Sequence, residues 1–211
     1  MPVMRIVAAT GNRAKVVELE RLVGMIATVE PPPHDISQKL QPEPTSPTTT
    51  TTTTTAQHKA LAVSALIPHT LIISTDGGLL LPALPCWQPT LTRRFAGPDA
   101  SDTERAQRLL ALAASLEGEQ RHIWWEESLV IACDGEVLAS WTARSGPGIL
   151  AREVTPEQIQ ATGGFWIAAL WLCPQFENRR LMELTPDERD RLNDHWRQLG
   201  VYLRDFLSQR T

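Results

Sequence analysis

The sequence predicts an α/β domain, and three observations carry the prediction. A short apolar run, Met4-Arg5-Ile6-Val7-Ala8-Ala9, is cut by turn chemistry at Thr10-Gly11-Asn12. Val16, Leu19 and Leu22 or Val23 follow at helical spacing. A second compact run, Thr70-Leu71-Ile72-Ile73-Ser74, leads into Thr75-Asp76-Gly77-Gly78. Helical patterns over Ala56–Leu66 and Ser101–Leu116 alternate with such strand-like runs.

The first strand, turn and helix set a geometry with chemical consequences. Asn12 or Thr10 suits the N-cap. A helix N-terminus presents unpaired N–H groups and a partial positive charge, which together stabilise an anion. Lys15 adds a full positive charge one turn in. The P-loop pattern G-x-x-x-x-G-K-[ST] is absent.

Met25 to Val29 reads as a second short strand, ended by Pro31-Pro32-Pro33 because proline cannot donate to a ladder. Asp35 to Pro47 reads as loop, and the threonine run Thr48–Thr55 extends it. Repetitive polar sequence buries too little apolar area to order itself, so a flexible segment is expected over about 41–55. The alanine-rich helix from Ala56 stops before Pro68. Asp76, at the end of a buried strand and beside two glycines, sits where open α/β sheets place ligand contacts. Asp-Gly is equally a β-turn signal.

Downstream, Ser101 caps the helix whose apolar face includes Ala106, Leu109 and Leu110. Ile123–Ile131 and Val137–Trp141 form a hairpin about Cys133-Asp134-Gly135-Glu136. Gly163–Trp171 has the look of a buried apolar strand. Thr185 at N-cap and Pro186 at N1 start a helix that continues through His195 to about Leu207.

The 211 residues, 42% hydrophobic and 21% charged, fit one domain over 1–211 with enough apolar material for a proper core. A net charge of -4 without basic runs argues against a nucleic-acid polymer as partner. Cys86, Cys133 and Cys173 are odd in number and far apart, which points away from a disulfide framework and toward a reducing cytoplasm. No segment reads as a signal peptide, and the apolar run Phe165–Cys173 is too short to span a bilayer, so no membrane is expected.

Ala9-Thr10-Gly11-Asn12 with Lys15, followed by Ala56, Lys59 and Ala60, resembles the phosphate-binding motifs of the inosine triphosphate pyrophosphatase family. Asp76, Gly78 and Leu79 are similar to that family's Asp-Asp-Ser-Gly-Leu, with Thr75 in place of the first Asp. Arg94 stands in its Ala-Arg-Tyr-Ala-Gly segment, Gly164-Phe165 in its Gly-Phe motif, and His195 in its Ser-His-Arg. The chain is a divergent example: Thr55, Ala168 and Trp196 replace an Asn, an Asp and an Arg.

The resemblance implies an elongated mixed β-sheet flanked by helices, in two lobes with a central cleft, and a homodimer. It implies pyrophosphohydrolysis of nucleoside triphosphates, from non-standard purine nucleotides such as ITP, dITP and XTP. Thr10, Gly11, Asn12, Lys15 and Lys59 would hold phosphates. Asp76 would be general base or would place a metal-bound water, Asp76 and Glu43 would bind Mg2+, and Phe165 and His195 would touch the base. The alternative it leaves is a catalytically silent relative that binds a nucleotide or a protein.

Overall fold

The structure, a computed structural model, describes residues 4–39, 51–192 and 194–210, the side chains of residues 14 and 37–39 excepted. In chain order the first part holds β1 (Met4–Ala8), α1 (Arg13–Val23), β2 (Ala27–Glu30), α2 (His34–Lys39), α3 (Thr52–Ser64) and β3 (Leu71–Leu80). Next come α4 (Asp102–Leu112), β4 (His122–Cys133), β5 (Glu136–Arg144) and β6 (Gly148–Leu150). The chain ends with α5 (Pro156–Gln160), α6 (Ile167–Leu170), β7 (Trp171–Cys173), β8 (Arg179–Arg180), α7 (Pro186–Asp190) and α8 (His195–Ser208). The strands form one mixed sheet in the order β2-β1-β3-β4-β6-β7-β8, with β5 on β4. The mixed α/β class follows as expected.

The chain divides into two compact units, the first comprising Met1–Gly77, Glu126–Ala143 and His195–Thr211. In it β1 pairs in parallel with both β2 and β3, Ile6 standing opposite Val29 and Leu71. Alternate residues of these buried strands point to opposite faces. On one face Ile6, Ala8, Ile73, Leu129 and Ile131 meet Val16, Leu19 and Leu22 of α1 and Leu199, Leu203 and Leu207 of α8. On the other, Val7 and Ile72 meet Val63 of α3, and Val130 and Ala132 meet Ala56 and Ala60. Each fully buried Leu or Ile contributes about 1.5–3 kcal/mol.

The second unit, Gly78–Trp125 and Arg144–Asp194, has its own core of Leu79, Leu109, Ile123, Leu150, Ile167, Leu170 and Trp171. Its strands pair antiparallel: β4 with β6, β6 with β7, β7 with β8. The buried Arg121 guanidinium donates to the carbonyls of Ala113, Leu150 and Ala151, which satisfies a charge that burial would otherwise penalise.

Five local expectations change. The threonine run is not loop up to residue 55. Thr51 is the N-cap of α3, its hydroxyl accepting from Thr54 N–H while Thr54 Oγ1 accepts from Thr51 N–H. Thr52 and Thr53 are then tied to Ser128 on β4 at 2.9 and 3.0 Å, and Thr53 to Thr142 on β5 at 3.0 Å. Capping and these tertiary bonds outweigh threonine's modest helix propensity; residues 41–50 lie outside the described residues. The start of the expected Asp35–Pro47 loop lies instead in the short helix α2, His34–Lys39.

Asp76-Gly77-Gly78 is not a turn, since β3 runs straight through to Leu80. Gly78 is required by packing, because a Cβ there would come within 2.0 Å of Pro89 O. Ile167–Leu170, read as strand, is the helical turn α6, and the C-terminal helix is two helices, α7 and α8, with residues 191–194 between them. The β4–β5 hairpin, the Ser101 cap and the Thr185–Pro186 start stand as expected.

Candidate active site

Asp76 lies on β3 and is 7% exposed. A carboxylate so placed needs a cation or donors. Lys59, two turns into α3, supplies one: its Nζ donates to Asp76 Oδ1 at 2.7 Å. Helix α3 lies on the face that Asp76 shares with Ile72, so the sheet's alternation directs the aspartate at the lysine.

Lys15 makes a second pair on the opposite face. It sits in the first turn of α1, and its Nζ donates to Glu127 Oε1 at 2.8 Å. Glu127, on β4, shares its face with Leu129 and Ile131, against which α1 packs, and its side chain is 1% exposed. Lys15 retains about a quarter of its own exposure. Beside it, Thr10 Oγ1 accepts from Asn12 N–H at 3.1 Å, and the Asn12 carbonyl accepts from Val16 N–H, opening α1. A Cβ built on Gly11 meets nothing within 4 Å, so the turn presents open backbone above the helix N-terminus.

Glu126, next to Glu127, faces the other side. Its Oε1 accepts from Thr52 Oγ1 at 3.0 Å, joining the hydroxyl cluster of Thr52, Thr53, Ser128 and Thr142 at the start of α3. Neither glutamate was singled out from sequence. The available signal was two adjacent acids inside the apolar run from Ile123 to Ile131.

The Ham1 family model matches residues 6–198. The chain belongs to the Ham1 family. It is 29% identical over 214 residues to a dITP/XTP pyrophosphatase of Exiguobacterium sibiricum, covering 98% of this chain and 100% of that one. It is 26% identical over 200 residues to the dITP/XTP pyrophosphatase of Escherichia coli, covering 94% and 96%. Among solved structures, a HAM1 protein from Coxiella burnetii superposes with a TM-score of 0.77 at 22% identity, covering 98% of this chain and 100% of that one. The Ham1 protein of Staphylococcus aureus does so with 0.76 at 20%, with the same coverage.

For the Ham1 motifs, the structure joins Lys59 to Asp76 directly and sends Lys15 to Glu127 instead of to that pair. All four residues, the Thr10–Asn12 turn and His195 belong to the first unit. His195 is the first residue of α8, its ring 5.4 Å from that of Trp196. Phe165 belongs to the second unit, where it is 41% exposed and meets the Trp125 ring edge-on at 5.0 Å. Arg94 lies in that unit too, in the turns after Pro89–Leu91. Ala168, where the motif has Asp, is buried in α6 and brings no polar side chain. Glu43 lies outside the described residues. Among the described residues no three His, Cys, Asp or Glu side chains cluster as a metal site, and no helix is long and apolar enough to cross a membrane.

Proposed function

We propose that this chain hydrolyses nucleoside triphosphates to a monophosphate and pyrophosphate, with non-standard purine nucleotides (ITP, dITP, XTP) as its substrates. Membership of the Ham1 family and the names of the Exiguobacterium and Escherichia relatives support the reaction class. The observation that carries the reading within this chain is the 2.7 Å contact of Lys59 with Asp76.

In this reading, water attacks the α-phosphorus and the bond from it to the bridging oxygen breaks, so that pyrophosphate leaves. The Asp76 carboxylate accepts the proton of the attacking water or orients it. The Lys59 ammonium pairs with that carboxylate and reaches phosphate oxygens. The open backbone at Gly11, with Asn12 and Lys15, holds the rest of the triphosphate and offsets the charge that grows on the leaving group. Phe165 stacks on the base, a contact of about 1–3 kcal/mol that every base can make, and His195 touches it.

Mg2+ belongs to this reading as an ion carried in on the triphosphate. The donors present fit that mode better than a pre-built cage: Asp76 Oδ1 accepts from Lys59, Glu127 Oε1 accepts from Lys15, and among the described residues no three His, Cys, Asp or Glu side chains cluster. Magnesium binds in this way through one or two carboxylates plus substrate phosphates. When bound, it would neutralise phosphate charge and activate water. A cytoplasmic setting and a homodimer complete the reading.

The test is pyrophosphate release from ITP, XTP and the four standard NTPs, with and without Mg2+. Turnover of ITP or XTP that needs the metal supports the proposal. Nucleotide binding without turnover would replace it with the catalytically silent reading.

A further inference from the structure

Glu127 has no counterpart among the motif residues, yet it is one of the most deeply buried charged side chains in the described structure, at 1% exposure. A carboxylate held there for stability alone is a poor choice, because an apolar side chain of like volume is generally as good or better on a central strand. Its geometry has a direction: Oε1 takes one of the three donors of Lys15 Nζ at 2.8 Å, while the lysine keeps partial access to solvent. The lysine stands in the first turn of α1, next to the open backbone of Gly11. An unpartnered lysine stem samples many rotamers and loses about 2 kcal/mol of rotamer freedom when pinned. Here that ordering is already present in the free protein.

We propose that Glu127 is a positioning residue for the triphosphate: from beneath the sheet face it anchors Lys15, so that the ammonium's other two donors meet phosphate oxygens over the first turn. This rests on the reaction proposed above. It adds to that reaction a residue that acts through Lys15 and never touches the nucleotide. The same anchoring makes Lys15 and Glu127 a single functional unit, because neither charge is useful in place without the other.

The experiment is a double-mutant cycle of Glu127→Gln and Lys15→Met, read three ways: thermal melting, titration with inorganic tripolyphosphate, and kcat/KM for ITP. Glu127→Gln is expected to weaken tripolyphosphate binding and lower kcat/KM about tenfold, the order expected for releasing one lysine stem. In the Lys15→Met background the same change is expected to leave binding and kcat/KM where they were, because the anchor then has no ammonium to hold. If Lys15→Met alone does not fold, Glu127→Asp is compared with wild type; the carboxylate kept but drawn back by one methylene should hold stability better than affinity. Equal losses from Glu127→Gln in both backgrounds, or unchanged tripolyphosphate affinity in the single variant, would overturn the assignment. A wild-type chain that releases no pyrophosphate would refute the reaction, while the tripolyphosphate arm would still judge the role of Glu127.

Discussion

Lys59 Nζ stands 2.7 Å from Asp76 Oδ1, a contact between the middle of helix α3 and strand β3. The lysine keeps about a quarter of its exposure and the aspartate side chain a tenth, so the pair opens to solvent through the lysine. In the proposed reaction, that arrangement sets the carboxylate beside a cation that can also reach a phosphate.

Asp76→Asn is therefore expected to keep the fold and lose turnover. Removing a general base costs about 10²–10⁴-fold, so kcat for ITP should fall at least a hundredfold while the melting temperature moves little. Lys59→Met should instead lower both, because it removes the cation paired with the buried Asp76 carboxylate. A Lys59→Met protein as stable as wild type would mean that the pair is not coupled in solution.

The two glycines of the motifs separate function from packing. A methyl at Gly11 meets nothing within 4 Å, whereas one at Gly78 runs into the Pro89 backbone. Gly11→Ala should leave stability unchanged or raise it by about 0.4–1 kcal/mol through the unfolded chain, while KM for the nucleotide rises. Gly78→Ala should destabilise by more than about 1 kcal/mol, since the methyl must displace backbone. Melting curves beside KM values for the two variants check both statements, and a Gly11→Ala enzyme with wild-type KM would remove that turn from the phosphate site.

Acid will weaken the second unit through Glu188. The Arg179 guanidinium, then the Thr185 backbone N–H, hold its carboxyl well below the ordinary range, from 4.5 down to about 2. A carboxyl more acidic folded than unfolded stabilises the fold above its unfolded pKa, and that contribution is lost as protons bind. The loss should run from about pH 4.5 down to about pH 2. Urea titrations of wild type and Glu188→Gln across this window should show the variant's stability changing less with pH. Parallel slopes would contradict the assignment.

The three thiols should react in a fixed order. Cys86 is exposed, Cys133 is half-buried with its thiol pushed up by burial and by Asp134, and Cys173 is buried with its thiol raised by desolvation to about 11. The thiolate is the nucleophile, so a maleimide or iodoacetamide at pH 8 should label Cys86 first and leave Cys173 for the denatured chain. Mass mapping of early labelling reads the order directly. Cys173 modified alongside Cys86 in native protein would show that the core of the second unit opens readily.

Much of the molecule was legible without coordinates. Apolar periodicity marked β1, α1, α4 and the β4–β5 hairpin, and the hairpin turn carries the positive φ values at Asp134 and Gly135 that Asp-Gly announces. The expected Lys59 and Asp76 do meet. These are local signals, written in spacing and turn chemistry. What the sequence did not disclose depends on partners remote in the chain. Thr52 and Thr53 are helical because Ser128 and Thr142 take up their hydroxyls, and Gly78 is glycine because Pro89 folds back on it. Glu127 is tolerable in a central strand because α1, 112 residues earlier, delivers an ammonium to it. Burial and pairing are properties of the packed molecule: the sequence by itself determined which groups carry charge, and the tertiary structure decided which of those charges are neutralised, which are held ready, and for what.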